Sequence, residues 1–351
     1  MTLRTALTTP ALIAYATLAA YLAIRIGLPL PYLLGPLLAS AVLATSLPQV
    51  LPDGYSFPGW LRMIFIAMIG LMIGAQVTPR LFADITRLAA SLAALIVFVL
   101  TALLWNYTIF RRLGGYDRAT AFYSSTPGGL YESIAMGEEA GAHMPRLILQ
   151  QFLRVILVVT LLPIGLSLWL GTPVGSAGGM TLSHGAVPLS ALPLILLAGV
   201  SGILLGRVLR LPAGQLTGPL AVAAVLSLSG WITLDIPQWL VNTAQIILGL
   251  ALGLRFTGLG RAMILRGLGF ALLSVGGMMI IAAIIALLLM PVSGEDFDVL
   301  LISFAPGGVT EMSLVALSLQ ANPAFVTLHH IIRILLTVIF MLLSARRIRQ
   351  L

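Results

Sequence analysis

Two short stretches concentrate the chemistry available to this chain. Ser124, Pro127, Gly128, Gly129 and Glu132 in "SSTPGGLYE" and Ser303, Pro306, Gly307, Gly308 and Glu311 in "SFAPGGVTE" both obey Ser-x-x-Pro-Gly-Gly-x-x-Glu, each inside a long apolar run. A glutamate in such surroundings has three uses: a proton carrier that loads and unloads, a cation ligand working with freed backbone carbonyls, or the static partner of an arginine. Each copy is followed 22 residues later by an arginine in equally apolar sequence, Arg154 in "FLRVILVV" and Arg333 in "HIIRILLTV". Gln150 and Gln151 precede the first as His329 and His330 precede the second. Spacings of three and four put each trio largely on one helix flank. Arg333 can clamp a carboxylate or phosphate through two parallel hydrogen bonds, or neutralise Glu311.

The Pro-Gly-Gly core says how these groups are held. Proline lacks a backbone donor and pushes the preceding residue out of helical geometry, and the glycines let the chain leave helical φ/ψ. A helix must break or turn at both places. Non-helical backbone survives at membrane depth only when buried in protein or lining a wet cavity. The break also creates a helix N-terminus with free donors and about half a positive charge, suited to an anion.

Other chemistries are poorly served. The chain has no cysteine, which excludes disulfides, thiolate catalysis and Cys-ligated metals. Adjacent His329 and His330 project about 100° apart on a helix, and His143 and His184 fall in loops without ligand spacing, so neither a metal site nor a cofactor is expected. No nucleophile elbow, phosphate loop or dinucleotide fingerprint occurs in a credible context. The chain is not expected to be an enzyme.

The elements that position these residues follow from composition. Of 351 residues 59% are apolar and 9% charged, where soluble domains average about a quarter charged. With a mean hydropathy of +1.07 this is an all-α polytopic membrane protein. All 19 basic residues are arginine and the formal charge is +8. The arginines flank apolar runs, so they read as topology determinants and contacts to anionic lipids rather than to nucleic acid. Arg255, in the place of Gln76, reads as snorkelling to the interface.

The chain is written twice. Leu28-Pro29 and Gly35-Pro36-Leu37 recur as Leu211-Pro212 and Gly218-Pro219-Leu220 at an offset of 183; "GLMIGAQVT" (70–78) recurs as "GLALGLRFT" (249–257) at 179, and that offset holds to Arg154 and Arg333. Each half contains six apolar segments: 10–24, 31–46, 60–78, 88–110, 119–137 and 147–170, then 187–206, 214–232, 238–256, 263–291, 298–320 and 324–345. The first, although it could pass for a signal peptide, has a place in the repeat and is expected to be retained. The division is repeat 1 at 1–170, a Gly/Ser-rich linker at 171–186 and repeat 2 at 187–351. If the Pro-Gly-Gly segment enters and returns, each half crosses five times and the repeats are inverted. Loop arginines then divide 13 against 3, the rich side holding both termini, and the positive-inside rule makes that side cytoplasmic.

A duplicated hydrophobic protein of this length with "STPGGLYE" in one half and "APGGVTEMSLVAL" in the other resembles the AbrB-family membrane proteins over nearly the whole chain. These are distinct from the small soluble DNA-binding regulators that share the name. Members often carry the label of an ammonia monooxygenase or a transcriptional regulator, but the motif holds neither metal nor DNA chemistry. The family is similar in plan to the cation/proton antiporter and anion transporter group. That kinship implies inverted repeats, a core bundle moving against a scaffold, and a site at Ser124–Glu132, Ser303–Glu311, Arg154 and Arg333.

The resulting expectation is a secondary transporter of the cytoplasmic membrane that moves a small organic anion coupled to H⁺ or Na⁺ by alternating access. Substrate, coupling cation and membrane lipids are the expected partners, nucleic acid is not, and the small-residue faces "GLMIG" and "GLALG" admit a homodimer. The rival is a membrane sensor that binds a ligand without flux, for which an appended signalling domain would be the sign. A monooxygenase would need a cluster of His or carboxylate ligands that four scattered histidines do not supply.

Overall fold

The computed structural model describes residues 3–52, 54–77, 85–171, 192–211, 213–230, 236–319 and 322–349. The linker at 171–186 and His184 fall, apart from Gly171, outside them. Among the described residues there are fourteen α-helices and no strands. In the first half they are α1 (Leu3–Arg25), α2 (Pro31–Ser46), α3 (Gly59–Ala75), α4 (Ile85–Thr108), α5 (Arg118–Ser125), α6 (Leu130–Glu139) and α7 (Met144–Leu170). In the second they are α8 (Leu192–Val208), α9 (Gly214–Ser229), α10 (Gln238–Gly253), α11 (Arg261–Ser293), α12 (Phe297–Phe304), α13 (Val309–Ser318) and α14 (Pro323–Arg349). Six stretches, centred on α1, α4, α7, α10, α11 and α14, are long and apolar enough to cross a membrane, those of α4 and α10 running on to Leu113 and Phe256. Their outward leucines and valines, such as Leu18, Leu104, Leu168, Leu288 and Leu343, are exposed as lipid-facing residues are. The protein is a multi-pass membrane protein.

The chain folds as two compact units, and each draws on both halves of the sequence. The first comprises Met1–Leu81, Pro163–Gly258 and Ser313–Ala324; the second Phe82–Leu162, Leu259–Met312 and Phe325–Leu351.

In the first unit, glycine faces bring helices together across the halves. A Cβ on Gly70 (α3) would overlap the Leu216 carbonyl of α9, and one on Gly74 the Leu220 carbonyl. At an offset of 179, Gly249 and Gly253 of α10 meet the Leu33 and Leu37 carbonyls of α2 in the same way. Leu216 and Leu220 are themselves 183 residues beyond Leu33 and Leu37, so one contact is made twice. The helix of one half therefore seats on a helix of the other. In the absence of a hydrophobic drive between helices in lipid, such backbone approach supplies dispersion contact.

The turns before α2 and α9 are also equivalent. Leu30 and Ala213 precede the two helices with φ of 45° and 49°, and Gly27 and Arg210 close the preceding ones at 67° and 50°. The bonds match too: Leu28 N–H to the Ala23 carbonyl at 3.0 Å, and Leu211 N–H to that of Gly206 at 3.0 Å. A left-handed residue with a side chain costs about 1–2 kcal/mol, against a smaller entropic cost for glycine. Arg210→Gly is accordingly expected to raise stability by about 0.5–1 kcal/mol, read as a higher melting temperature in detergent.

In the second unit the long helices α4 and α11 are pinned by Trp105 Nε1, which donates to the Leu273 carbonyl at 3.2 Å, over Gly277, where any Cβ would enter the indole ring. Asn106 joins them to α5: its Nδ2 donates to the Ser125 carbonyl at 3.0 Å and its Oδ1 accepts from Ser274 Oγ at 2.7 Å. Tyr123, Leu147 and Met341 share a buried cluster linking α5, α7 and α14. These contacts frame the two interrupted segments.

Candidate functional site

Both interruptions are real breaks, placed where proline and glycine require them. α5 stops at Ser125 and α12 at Phe304; the residues before the prolines, Thr126 and Ala305, sit at ψ of 128° and 135°, extended backbone that ends a helix. The next helices start after Gly129 and Gly308, Gly129 taking a φ of 62° open only to glycine at low cost. With 8 and 10 residues on either side, no half-helix alone reaches across a bilayer.

Carbonyls at the ends of α5 and α12 accept from two members of each predicted polar trio, bond for bond. Gln151 Nε2 donates to the Tyr123 carbonyl at 2.7 Å, and Arg154 Nη1 to that of Thr126 at 2.6 Å. In the second half, His330 Nε2 donates to the Ile302 carbonyl at 2.9 Å, and Arg333 Nη1 to that of Ala305. The two bonds of the first half recur as the two of the second, donors and acceptors alike at an offset of 179. Cationic side chains at helix C-termini complement both the open carbonyls and the negative end of the helix dipole. A carbonyl only accepts, so His330 carries its proton on Nε2, leaving Nδ1 to accept from Arg333 Nη2 at 2.9 Å.

The bonds of Arg333 thus go to Ala305, Gly307 (Nη2 to its carbonyl, 2.7 Å) and His330. The neighbours of Gly128 bring the first break to the same place: a Cβ there would stand 3.5 Å from Arg333 Nε and 3.1 Å from Thr337 Oγ1. α14 therefore touches both breaks. Arg154 lies close enough for its charge to act on Arg333, and both are buried, at 6% and 1% exposure. Two buried like charges are costly to hold.

Glu132 and Glu311 sit at the third position of α6 and α13. There each carboxylate folds back over the residue that opens its own helix: a Cβ on Gly129 would lie 3.3 Å from Glu132 Oε2, and one on Gly308 would overlap Glu311 Oε2. Each carboxylate thus stands in the first turn of its helix, where the positive end of the helix dipole favours a negative charge. The spacing Gly-x-x-Glu carried the signal. Both glutamates are half-buried. Glu132→Gln removes a charge from the first turn of α6 and is expected to lower stability by about 0.3–1 kcal/mol, which thermal unfolding in detergent measures.

Other residues of the site were not anticipated. The Thr126 hydroxyl shares a hydrogen with Ser133 Oγ at 2.6 Å and accepts from Gln151 Nε2 at 2.9 Å, tying α5, α6 and α7 across the break. His329 points elsewhere, with Nδ1 donating to the Phe325 carbonyl at 2.9 Å and Nε2 accepting from Ser91 Oγ at 3.0 Å. Gln150 likewise turns away, to Tyr116 Oη at 3.0 Å and the Gly267 carbonyl at 3.2 Å. Each trio thus splits, and only Gln151, Arg154, His330 and Arg333 attend the breaks. Among the described residues no group of three or more His, Cys, Asp or Glu could hold a metal.

Fold and site together define a class: an all-helical, multi-pass membrane protein organised around a pair of broken helices whose carbonyl ends are closed by buried arginines. The chain belongs to the AbrB family, whose model, described as "Transition state regulatory protein AbrB", matches residues 43–349. It is similar to "Putative regulator AbrB" of Escherichia coli (strain K12), 28% identical over 311 residues, 86% of this chain and 85% of the relative. It is also similar to "Uncharacterized protein YhjN" of Bacillus subtilis (strain 168), 24% identical over 335 residues, 89% of this chain and 85% of that one.

Proposed function

We propose that this protein is a secondary active transporter of the cytoplasmic membrane that moves a small organic anion coupled to H⁺ or Na⁺ by alternating access. The observation that carries the reading is the buried pair Arg154 and Arg333, two cations whose recorded hydrogen bonds all go to uncharged groups. An anion entering between the breaks would offset a charge that carbonyls compensate only in part. Paired broken segments are how many secondary transporters build one central site. Alternating access needs a body that carries the site and one that braces it, and all the site residues from Ser124 to Arg333 lie in one of the two compact units. In this reading the repeats are inverted, both termini are cytoplasmic and Glu132 and Glu311 are the coupling groups.

The test is uptake of labelled small carboxylates into liposomes holding the purified protein, with an imposed H⁺ or Na⁺ gradient. Flux above empty liposomes, lost in Arg154→Gln and uncoupled from the gradient in Glu132→Gln or Glu311→Gln, is the expected result. Glutamine keeps the shape of glutamate, so loss of coupling in variants that still melt cooperatively would report charge and not folding. Saturable binding of carboxylates with no flux under any gradient would replace transport by sensing, the reading to which the word "regulator" in the name of the Escherichia coli relative points.

A further inference from the structure

The two breaks match in sequence spacing and in their closing bonds, but not in how fully their polar atoms are paired. At the second, Ser303 Oγ donates to the Val299 carbonyl at 2.7 Å, both nitrogens of His330 are bonded and Arg333 makes three bonds. At the first, the equivalent Ser124 Oγ is buried with no partner, as are Gln151 Oε1 and Arg154 Nε, and Arg154 makes one hydrogen bond. The orientation of the Gln151 amide is settled by its neighbour: the Tyr123 carbonyl can only accept, so Nε2 faces it and Oε1 is the atom left over. Arg333 Nε is the one unpaired atom of this set at the second break, where it faces Gly128.

Ser124, Gln151 and Arg154 are 4%, 0% and 6% exposed; Ser124 is on the last turn of α5, and Gln151 and Arg154 reach the break from α7, both bonded to Thr126 two residues on. Leaving such atoms unpaired is costly, and relief of that cost is available to a ligand that supplies the missing partners. The missing partners define it. Arg154 and Ser124 donate, and call for the oxygens of an anion; Gln151 Oε1 accepts, and calls for an O–H or N–H on the same molecule. Resting on the anion reading above, we infer that the first break is the substrate-reading half of the site and that its ligand is a carboxylate bearing a neighbouring hydroxyl or amino group. The second break is the closed mate that fixes the geometry.

The experiment uses propionate, lactate and alanine, one carbon skeleton without and with the donor, measured by calorimetric titration against the purified full-length protein, with inorganic phosphate as the anion without a skeleton. Lactate or alanine is expected to bind about tenfold more tightly than propionate, the worth of one good hydrogen bond. In Gln151→His the ring can donate to Tyr123 and accept from Arg154, as His330 does in the other half, so the fold is kept and the preference should fall to about twofold or less. Ser124→Ala removes an unpaired hydroxyl: it should weaken lactate while leaving the ligand-free melting temperature unchanged or higher. Equal affinity for the three compounds, a preference that survives Gln151→His, or a drop in ligand-free stability in Ser124→Ala would overturn the inference and leave transport standing. If none of the three compounds nor phosphate binds, and no carboxylate flux is found, the anion reading itself falls and takes this inference with it.

Discussion

Arg333→Met is expected to cost about 2–4 kcal/mol of folding stability while Arg154→Met costs less than about 1, although the two arginines occupy equivalent positions in the repeat. The difference follows from counting what each leaves behind. Removing Arg333 strands the Gly307 carbonyl and the Nδ1 of His330 in a site that water does not reach, and leaves the Ala305 carbonyl with the Gly307 N–H alone, at 2.9 Å. Each stranded acceptor costs about 1–3 kcal/mol, offset in part because a buried charge is also removed. Removing Arg154 strands the Thr126 carbonyl alone and removes the same charge, so the two effects come near to cancelling. Ligand affinity should run the other way, with Arg154→Met losing anion binding outright. Melting curves in detergent, without and with lactate, measure both. Equal losses of stability at the two positions would mean that the hydrogen bonds recorded at Arg333 do not carry its role.

The second large effect belongs to the exchanged glycine helices. Gly70→Ala and Gly249→Ala are each expected to destabilise by about 1–3 kcal/mol or more, and by similar amounts, because the new methyl group enters the Leu216 carbonyl in one case and the Leu33 carbonyl in the other. A backbone carbonyl inside a helix cannot rotate aside, so the helices must part along their length. Gly269→Ala, on a face of α11 where a Cβ meets open space, is the comparison and should gain up to about 1 kcal/mol from helix propensity. Thermal unfolding of the three variants decides it. Tolerance at Gly70 with intolerance at Gly249 would show that the two contacts, alike in geometry, differ in consequence.

Much of this was legible in the residues. The apolar segments 31–46, 88–110 and 214–232 correspond to α2, α4 and α9 with shifts of a few residues, and the fifth segment of each half divides where proline disallows helical geometry. The polar trios were visible as well, because an arginine in an apolar run has few places to go. What the arginines bond was not. Sequence spacing pairs charges with charges, whereas the open carbonyls of a broken helix are set by where neighbouring helices pass. Glu132 and Glu311 were read as deep acids because their surroundings are apolar; the structure adds that each stands in the first turn of a helix, three residues after a glycine. The unequal pairing of Ser124 and Ser303 has no counterpart in the spacing at all, since both positions are serine and differ only in what lies within reach. Nor did the repeat announce that helices would pair across the halves: identical glycine patterns on α3 and α10 fit an internal partner as well as an exchanged one.

That exchange shapes how the protein can be made. α3 is complete about 140 residues before the α9 surface that covers Gly70 and Gly74 has been synthesised, an interval of roughly 7–30 s at ordinary translation rates. Throughout it the first half stands in the membrane with its glycine face bare, open to insertion chaperones, to membrane proteases and to the same face of another nascent copy. A ribosome that stalls between the halves should leave a product that is degraded and not stored. Two half-chains produced together should complete one another, each supplying the surface that the other lacks.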